Sequence, residues 1–261
     1  MSKPQVELLG ISNAIVDVLC HVEPEFVSQF GNPPGSMTLI DRDDAERSYD
    51  MMGPATESAG GAVANSVACF ASLGGEAAYI GRVAEDQLGR IFNHDMASLD
   101  VDVRLPEETR AAPTARCHVL ITPDGERTMQ TFLGACTEIA ETDVTVDTVG
   151  APKLLLMEGY VWDTPEGPAA MQAAITHTRA ARGRVALSLS DSFCVERHHG
   201  AFLSLDAGDA ARSARPVRRR RPRYGSRARG RLRQARRHDA PRTRQRSLPG
   251  QRTRRASRGH G

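Results

Sequence analysis

The sequence predicts an α/β fold in which a parallel sheet is flanked by helices, and three observations support this class. Strand patterns such as APKLLLMEGYVW (151–162) alternate with helix patterns such as TPEGPAAMQAAITHTRAARG (164–183) through the first 205 residues. Strands joined by helices of this length pair in parallel. The stretch TARCHVLITPDGERTMQTFLG (114–134) instead reads as two strands around a Pro-Asp-Gly turn, which indicates a hairpin and hence a smaller second sheet.

The first elements follow from apolar runs and their breaks. VELLGISNAIVDVLCHV (6–22) is interrupted by glycine and by the Ser-Asn pair, which predicts a strand, a turn and a second strand. PPGSMTLID (33–41) predicts a turn and a short strand, and DDAERSYDMM (43–52) a helix capped by Asp41 or Asp43.

Glycines bound the next helix, and apolar patterns define the elements after it. ESAGGAVANSVACFASLGG (57–75) predicts a helix with a glycine-rich entry and a glycine stop. The later elements are a strand in 76–84, a helix in 86–100, a lid or edge strand in 101–108, a strand in 184–192 and the start of a helix in 195–205.

The charge is divided between the two ends of the chain. Residues 1–205 hold 14 Lys and Arg against 29 Asp and Glu, whereas residues 206–261 hold 20 Arg, no Lys and 3 Asp. Large apolar residues are almost absent after residue 205, so the Arg-rich tail, 206–261, is predicted to be disordered. The first domain is accordingly predicted to span 1–205.

Two interpretations of the tail remain open. Its arginines would attract phosphates, as in an arm that binds RNA or DNA. However, it has no interleaving of aromatic residues, no repeat such as Arg-Gly-Gly and no lysine. Its Arg, Ala, Gly, Pro and Ser content is typical of a GC-rich gene read out of frame. We favour the frameshift, with incidental nucleic-acid binding expected in either case.

The cysteines and the N-terminus bear on the cellular compartment. The five cysteines have no CxxC spacing, which predicts buried, reduced thiols. The N-terminus has no signal-peptide pattern, and no apolar run approaches the length of a membrane span. We therefore expect a cytoplasmic protein that does not enter the membrane.

Several residues are candidates for ligand contacts. Gly60 and Gly61 precede a helix and would let a ligand approach the backbone, while Asn65 in the first turn could bond a hydroxyl. Asn13 and Asp17 follow the first strand, where ligands bind in open α/β sheets. Each has a structural alternative: a glycine turn packed on a strand, or a surface Asp.

Two further candidates are charged. Arg127 beside the hairpin turn could reach a phosphate, or could be an ordinary solvated charge. Glu158 ends a buried strand and could face the same site. The sequence contains neither GxxxxGK[ST] nor GxGxxG.

Together, six stretches resemble the ribokinase-like, PfkB-type carbohydrate kinases, and the adenosine-kinase branch in particular. They are GISNAIVD (10–17), GSMTLID (35–41), AGGAVAN (59–65), ASLGGEAAYIGRVAEDQLGRIF (71–92), PTARCHVLITPDGERTM (113–129) and LSLSDSF (187–193). The resemblance implies a three-layer α/β/α fold with a small β-sheet lid. It also implies an ATP- and Mg²⁺-dependent enzyme that phosphorylates a primary hydroxyl of a sugar or nucleoside.

The resemblance assigns roles to the candidate residues. Asp17 and Asn65 would hold ribose hydroxyls, Gly60 and Gly61 would let the sugar lie against the backbone, and Asn13 would shape the pocket. Arg127 would lie near the transferred phosphate, and the lid strands could form a homodimer. Val63 and Ala84 depart from the family pattern, but neither stands at a sugar-contact position.

The family's catalytic region has no counterpart here. An Asn-x-x-Glu motif and a later Gly-Ala-Gly-Asp motif, whose Asp is the general base, are both expected from the resemblance and absent from the sequence. The AGD at 207–209 lacks the preceding glycine and comes too early. We therefore expect a truncated, inactive kinase; the alternatives are an inactive nucleoside- or sugar-binding remnant, or a nucleic-acid-binding protein that uses the tail.

Overall fold

The structure, a computed structural model, describes residues 5–106 and 112–213, with side chains as far as Leu205, and builds them around two five-stranded sheets. The strands are β1 (Leu8–Ile11), β2 (Ile15–His21), β3 (Met37–Leu39), β4 (Thr56–Gly60), β5 (Ala77–Ile80), β6 (Asp102–Val103), β7 (Ala115–Ile121), β8 (Arg127–Phe132), β9 (Leu154–Glu158) and β10 (Arg184–Ser188). The α-helices are α1 (Pro24–Gln29), α2 (Arg42–Met51), α3 (Ala62–Ser72), α4 (Gln87–Ser98), α5 (Val146–Val149), α6 (Gly167–Ala180) and α7 (Ser192–Ser213).

The main sheet is parallel throughout and has the order β10-β9-β1-β5-β6. Its central strand β1 is buried at all four positions, because helices cover both faces. Leu9 and Ile11 belong to the core shared with α6, whereas Leu8 belongs to the core shared with α3. This alternation produces three layers and confirms the predicted α/β/α class.

The second sheet has the order β3-β8-β7-β2-β4 and mixes parallel with antiparallel pairs. β7 and β8 form the predicted hairpin, and this sheet is the predicted small sheet beside the main one. Strand β4 was not predicted, because its sequence TESAG shows no apolar alternation. It pairs antiparallel with β2 and leads directly into α3.

The two faces of the second sheet differ. Val16 and Val18 of β2 pack into a core with α4, and Ser48 of α2 donates a hydrogen bond to Gln130 of β8 at 2.7 Å. The opposite face carries Asp17 and its neighbours and is only partly covered by the described residues. That face adjoins the carboxyl end of β1, where ligands are expected.

Helix α7 passes the predicted domain boundary. It has a kink at His198 and its backbone continues as helix to Ser213, so residue 205 does not coincide with an end of secondary structure. The rest of the Arg-rich tail, 214–261, lies outside the described residues. The predicted disorder and the frameshift therefore stay predictions.

The cysteines are all free thiols, and four of them are buried as predicted. The expectation was wrong for Cys69, which is exposed on α3. In the part of the chain that the structure describes, no helix has the length and apolar character needed to cross a membrane.

Candidate functional site

The turn between β1 and β2, residues 12–14, lies where the main sheet passes into the second sheet. Asn13 is buried in this turn, and its Oδ1 atom has no hydrogen-bond partner among the described residues. A buried amide oxygen without a partner is costly, and ligands in open α/β sheets bind beyond the carboxyl ends of strands. Asn13 Oδ1 is therefore a candidate to accept a hydrogen bond from a ligand hydroxyl.

Asp17 and Gly60 meet on the partly covered face of the second sheet. The antiparallel register places Asp17 opposite Ser58 and Ile15 opposite Gly60. A Cβ atom added at Gly60 would lie 2.3 Å from Oδ2 of Asp17, so the absent side chain makes room for the carboxylate. Burial raises the pKa of Asp17, and no residue of the described chain donates a hydrogen bond to it.

Gly61 and Asn65 bring the start of α3 to the same place. Gly61 is the N-cap of α3 with a φ of 101°, a conformation that favours glycine, and an added Cβ would lie 2.8 Å from the carbonyl oxygen of Asn13. The N–H of Asn65 donates to the Gly61 carbonyl at 2.9 Å, and its side chain is exposed. The Gly60–Gly61 segment therefore adjoins both Asp17 and the turn, and Asn65 follows it in the first turn of α3.

Glu158 lies beneath the turn, at the carboxyl end of β9. It is 2% exposed, and the parallel register that pairs Ile11 with Met157 places it beside Ser12. The Ser12 side chain and the Asn13 backbone N–H act to lower the pKa of its carboxyl. Burial raises the pKa of Glu158 to about 7, and its Oε2 atom has no partner among the described residues. The sequence indicated Glu158 only by its place at a strand end.

Tyr79 was not identified from the sequence. Its hydroxyl donates to the Ser12 carbonyl oxygen at 3.0 Å and lies 3.0 Å from Oγ of Ser12. The signal that could have revealed it is a tyrosine in a fully buried strand, since a buried tyrosine hydroxyl needs a partner. Tyr79 thus ties the turn to β5 of the main sheet, and Glu158 of β9 lies beside the turn.

Arg127 is not brought to this site. It is exposed at the start of β8, opposite Ile121, and the registers of the second sheet align it with His21 rather than with Asp17. Arg127 is therefore separated from Asp17 by four residues along the strand direction, which is about 13 Å, and by two strand spacings, which is about 10 Å. Its phosphate-side role stays a prediction.

The described residues do not fit the ATP and Mg²⁺ sites that the resemblance implies. Within 5–106 and 112–213, no group of three or more His, Cys, Asp or Glu side chains could hold a metal ion. A cavity of about 510 Å³ lies between α6, β10 and α7, but its lining is mainly apolar and does not include the candidate residues. We assign no described residue to ATP or Mg²⁺.

Comparisons with known proteins identify a family and similar folds. Residues 36–198 match the pfkB family carbohydrate kinase profile. The adenosine kinase from Sinorhizobium meliloti is 44% identical, with a TM-score of 0.70 over 77% of this chain and 61% of that chain. A probable sugar kinase from Rhizobium etli CFN 42 is 40% identical, with a TM-score of 0.69 over 78% of this chain and 62% of that one.

A curated relative is more distant. The guanosine-inosine kinase of Escherichia coli K12 is 22% identical over 201 residues, which cover 72% of this chain and 46% of that protein. The chain thus spans about half the length of this relative and about three fifths of the two solved structures.

Proposed function

Because the chain belongs to the pfkB family of carbohydrate kinases, as its motifs predict, we propose that residues 5–205 form the acceptor-binding part of an ATP-dependent sugar or nucleoside kinase. The acceptor would be a primary hydroxyl on a ribose ring, with adenosine as the first candidate substrate. The observation that carries the proposal is the half-buried Asp17 carboxylate, which lies against Gly60 and has no protein donor among the described residues. Similarity to an adenosine kinase supports the choice of substrate.

The chemistry of these groups suits a sugar. An ionised carboxylate can accept hydrogen bonds but cannot donate them, so Asp17 would accept from two neighbouring ribose hydroxyls. Asn13 Oδ1 would accept a third, and the exposed amide of Asn65 can donate or accept. Gly60 and Gly61 would let the ring approach the backbone. The second sheet would shield the reacting hydroxyl from water, which would otherwise compete for the phosphoryl group.

We further propose that the 261-residue chain binds its acceptor without phosphorylating it. ATP would supply the phosphoryl group with Mg²⁺ in the family, but the sequence contains no Asn-x-x-Glu and no Gly-Ala-Gly-Asp. Without a general base, the acceptor hydroxyl would keep its proton and remain a weak nucleophile.

The first experiment is calorimetric titration of adenosine into the 261-residue chain and its Asp17→Asn variant. We expect saturable binding, weakened about tenfold to a hundredfold by the substitution, as for lost hydrogen bonds to a charged group. Asp50→Asn, an exposed aspartate on α2, is the control and should bind like wild type. Absence of adenosine binding, or equal binding by Asp17→Asn, would overturn the assignment.

A second experiment addresses phosphoryl transfer. Incubation with adenosine, ATP and Mg²⁺ should give no AMP above background, and steady AMP formation would overturn the proposed inactivity.

The frameshift is tested by reading the gene in its other two frames after codon 205. An Asn-x-x-Glu followed by a Gly-Ala-Gly-Asp there supports the frameshift, and their absence from both frames contradicts it.

Two proposals on partners can be tested separately. Exposed Met37 and Leu39 on β3 support contact between lid strands of two copies. Leu39→Lys should disrupt this contact, as measured by light scattering.

Salt-sensitive binding of RNA should be lost when residues 206–261 are deleted, because that segment contains 20 arginines.

A further inference from the structure

The turn at residues 12–14 is held by two buried side chains from neighbouring strands of the main sheet. Tyr79 of β5 donates its hydroxyl proton to the Ser12 carbonyl oxygen at 3.0 Å. From β9 on the other side, the register that sets Met157 opposite Ile11 places the buried Glu158 beside Ser12, and the Ser12 side chain and the Asn13 N–H act to lower the pKa of its carboxyl. The turn therefore has a neutral donor on one side and an ionisable carboxyl on the other.

The Ser12 hydroxyl has one proton and two nearby acceptors. Its Oγ lies 3.0 Å from the Tyr79 oxygen, and the Glu158 carboxyl is the other candidate. Since Tyr79 uses its own proton on the Ser12 carbonyl, the Ser12 proton goes to whichever acceptor is stronger. A carboxylate accepts more strongly than a tyrosine oxygen or a neutral carboxyl, so the charge of Glu158 decides the orientation of this hydroxyl.

The other titratable groups around Glu158 stay neutral near pH 7. Tyr79 on β5, Cys136 in the 3₁₀ helix Gly134–Glu138, Tyr160 after β9 and Cys194 on α7 all sense the Glu158 charge, and the pKa of each is raised mainly by burial. The causes of the Glu158 shift include no nearby cation of the described chain, and the Ser12 side chain and the Asn13 N–H act against the effect of burial on its pKa.

We propose that Glu158 is a positioning residue whose ionised carboxylate fixes the 12–14 turn, so that Asn13 and its contact with Gly61 are presented to the acceptor. The Asn13 N–H would bond the carboxylate firmly and set the direction of the peptide that follows it. When Glu158 takes a proton from solvent, its oxygens become weaker acceptors, and both Ser12 and Asn13 are released. The effect on ligand rests on the proposed acceptor site, whereas the effect on the turn does not.

The turn can be followed without any ligand. The chain has four asparagines, so selective ¹⁵N-Asn labelling gives four backbone amide signals, and Asn13→Ser identifies that of Asn13. In wild type, the Asn13 amide should shift with a midpoint near pH 7, as for the Glu158 carboxyl. In Glu158→Gln, this titration should disappear. An Asn13 signal that does not titrate, or that titrates equally in Glu158→Gln, overturns the proposal.

Two variants guard against a merely structural effect. Glu138→Gln alters another carboxyl that has a buried Oε2 without a partner in the described chain, and the titration should persist there. Tyr79→Phe removes the neutral donor to the turn while leaving Glu158 in place, so the Asn13 titration should also persist. Loss of the titration in either folded control would contradict the assignment to Glu158.

Adenosine titrations at several pH values then connect the turn to binding. Affinity should fall severalfold as the pH drops from about 8 to about 6 in wild type and stay flat in Glu158→Gln. If neither protein binds adenosine but the Asn13 amide titrates, the proposed function fails and the positioning role stands. If both bind with the same pH profile, the positioning role fails and the acceptor site stands.

Discussion

The carboxylate of Asp17 occupies the space that a side chain at residue 60 would fill: a Cβ on Gly60 would lie 2.3 Å from Oδ2 and 2.4 Å from Cγ of Asp17. Gly60→Ala should therefore displace the carboxylate, because aspartate has only two side-chain torsions with which to retreat. We expect adenosine affinity to fall by about tenfold or more, as for loss of a charged hydrogen bond, and stability to fall by about 1–3 kcal/mol through overpacking. Calorimetric titration and thermal unfolding measure the two effects.

Gly53→Ala is the matched control for this substitution. No heavy atom lies within 4 Å of a Cβ added at Gly53, so the extra methyl meets open space in the loop before β4. Binding and Tm should stay close to wild type. Equal losses in both variants would show that the effect of Gly60→Ala does not come from Asp17.

Asp17→Asn should separate binding from stability. Burial raises the pKa of Asp17, so the charged form is disfavoured in the folded protein relative to the unfolded chain. Stability from this group is fully present below the unfolded pKa and is lost as the pH rises through the raised folded pKa. Near pH 7, Asp17→Asn should thus be at least as stable as wild type while binding adenosine worse. Marked destabilisation at pH 7 would argue that Asp17 has a structural partner.

The sequence was sufficient for most strands and helices, but not for strand β4 or for the register of the sheets. The β1–turn–β2 run and the Gly60-Gly61 entry to α3 carry strong local signals, and the structure has both. The contact between Asp17 and Gly60 depends on antiparallel pairing of β2 with β4, a strand without apolar alternation. A local pattern does not encode such a long-range pairing.

Long-range strand pairing also explains why the sequence did not reveal the contact of Tyr79 or the position of Arg127. The Tyr79–Ser12 contact joins residues 67 positions apart, through the parallel pairing of β1 and β5. The hairpin that holds Arg127 was predicted, but its alignment with β2 was not, and that alignment carries Arg127 to the other end of the sheet. Candidate residues near strand ends and glycine turns could be found in the sequence, whereas the contact of Tyr79 and the position of Arg127 depend on strand pairing.

Glu158→Gln should change how stability depends on pH. The pKa of Glu158 rises from 4.5 to about 7 because the carboxyl is buried, so ionisation costs roughly 3 kcal/mol in the folded state. Below the pKa of Glu158 in the unfolded chain, the carboxyl is protonated in both states and this cost is absent. The wild type loses stability as the pH rises through about 7. Relative to wild type, Glu158→Gln should gain stability between pH 5 and pH 8, measured by urea unfolding. A constant difference across this range would contradict the raised pKa.

Arg82 and Asp143 form a buried, bidentate ion pair. Asp143 lies on the segment between β8 of the second sheet and β9 of the main sheet. Arg82 follows β5, and its Nε and Nη2 atoms each donate to Asp143 at 2.7 Å. The side chains are 4% and 5% exposed. The pair therefore fastens the segment between β8 and β9 to the carboxyl end of the main sheet.

Asp143→Asn should destabilise the protein by about 3–5 kcal/mol, because the buried Arg82 guanidinium loses the charge of the carboxylate that it binds through two hydrogen bonds. Asp44→Asn, which breaks the exposed Arg47–Asp44 pair on α2, should leave Tm nearly unchanged. Replacing both members, as in Arg82→Met/Asp143→Leu, removes both charges together, so the double variant should be less destabilised than the sum of its single variants. Additive losses in urea unfolding would show that the two side chains are not energetically coupled.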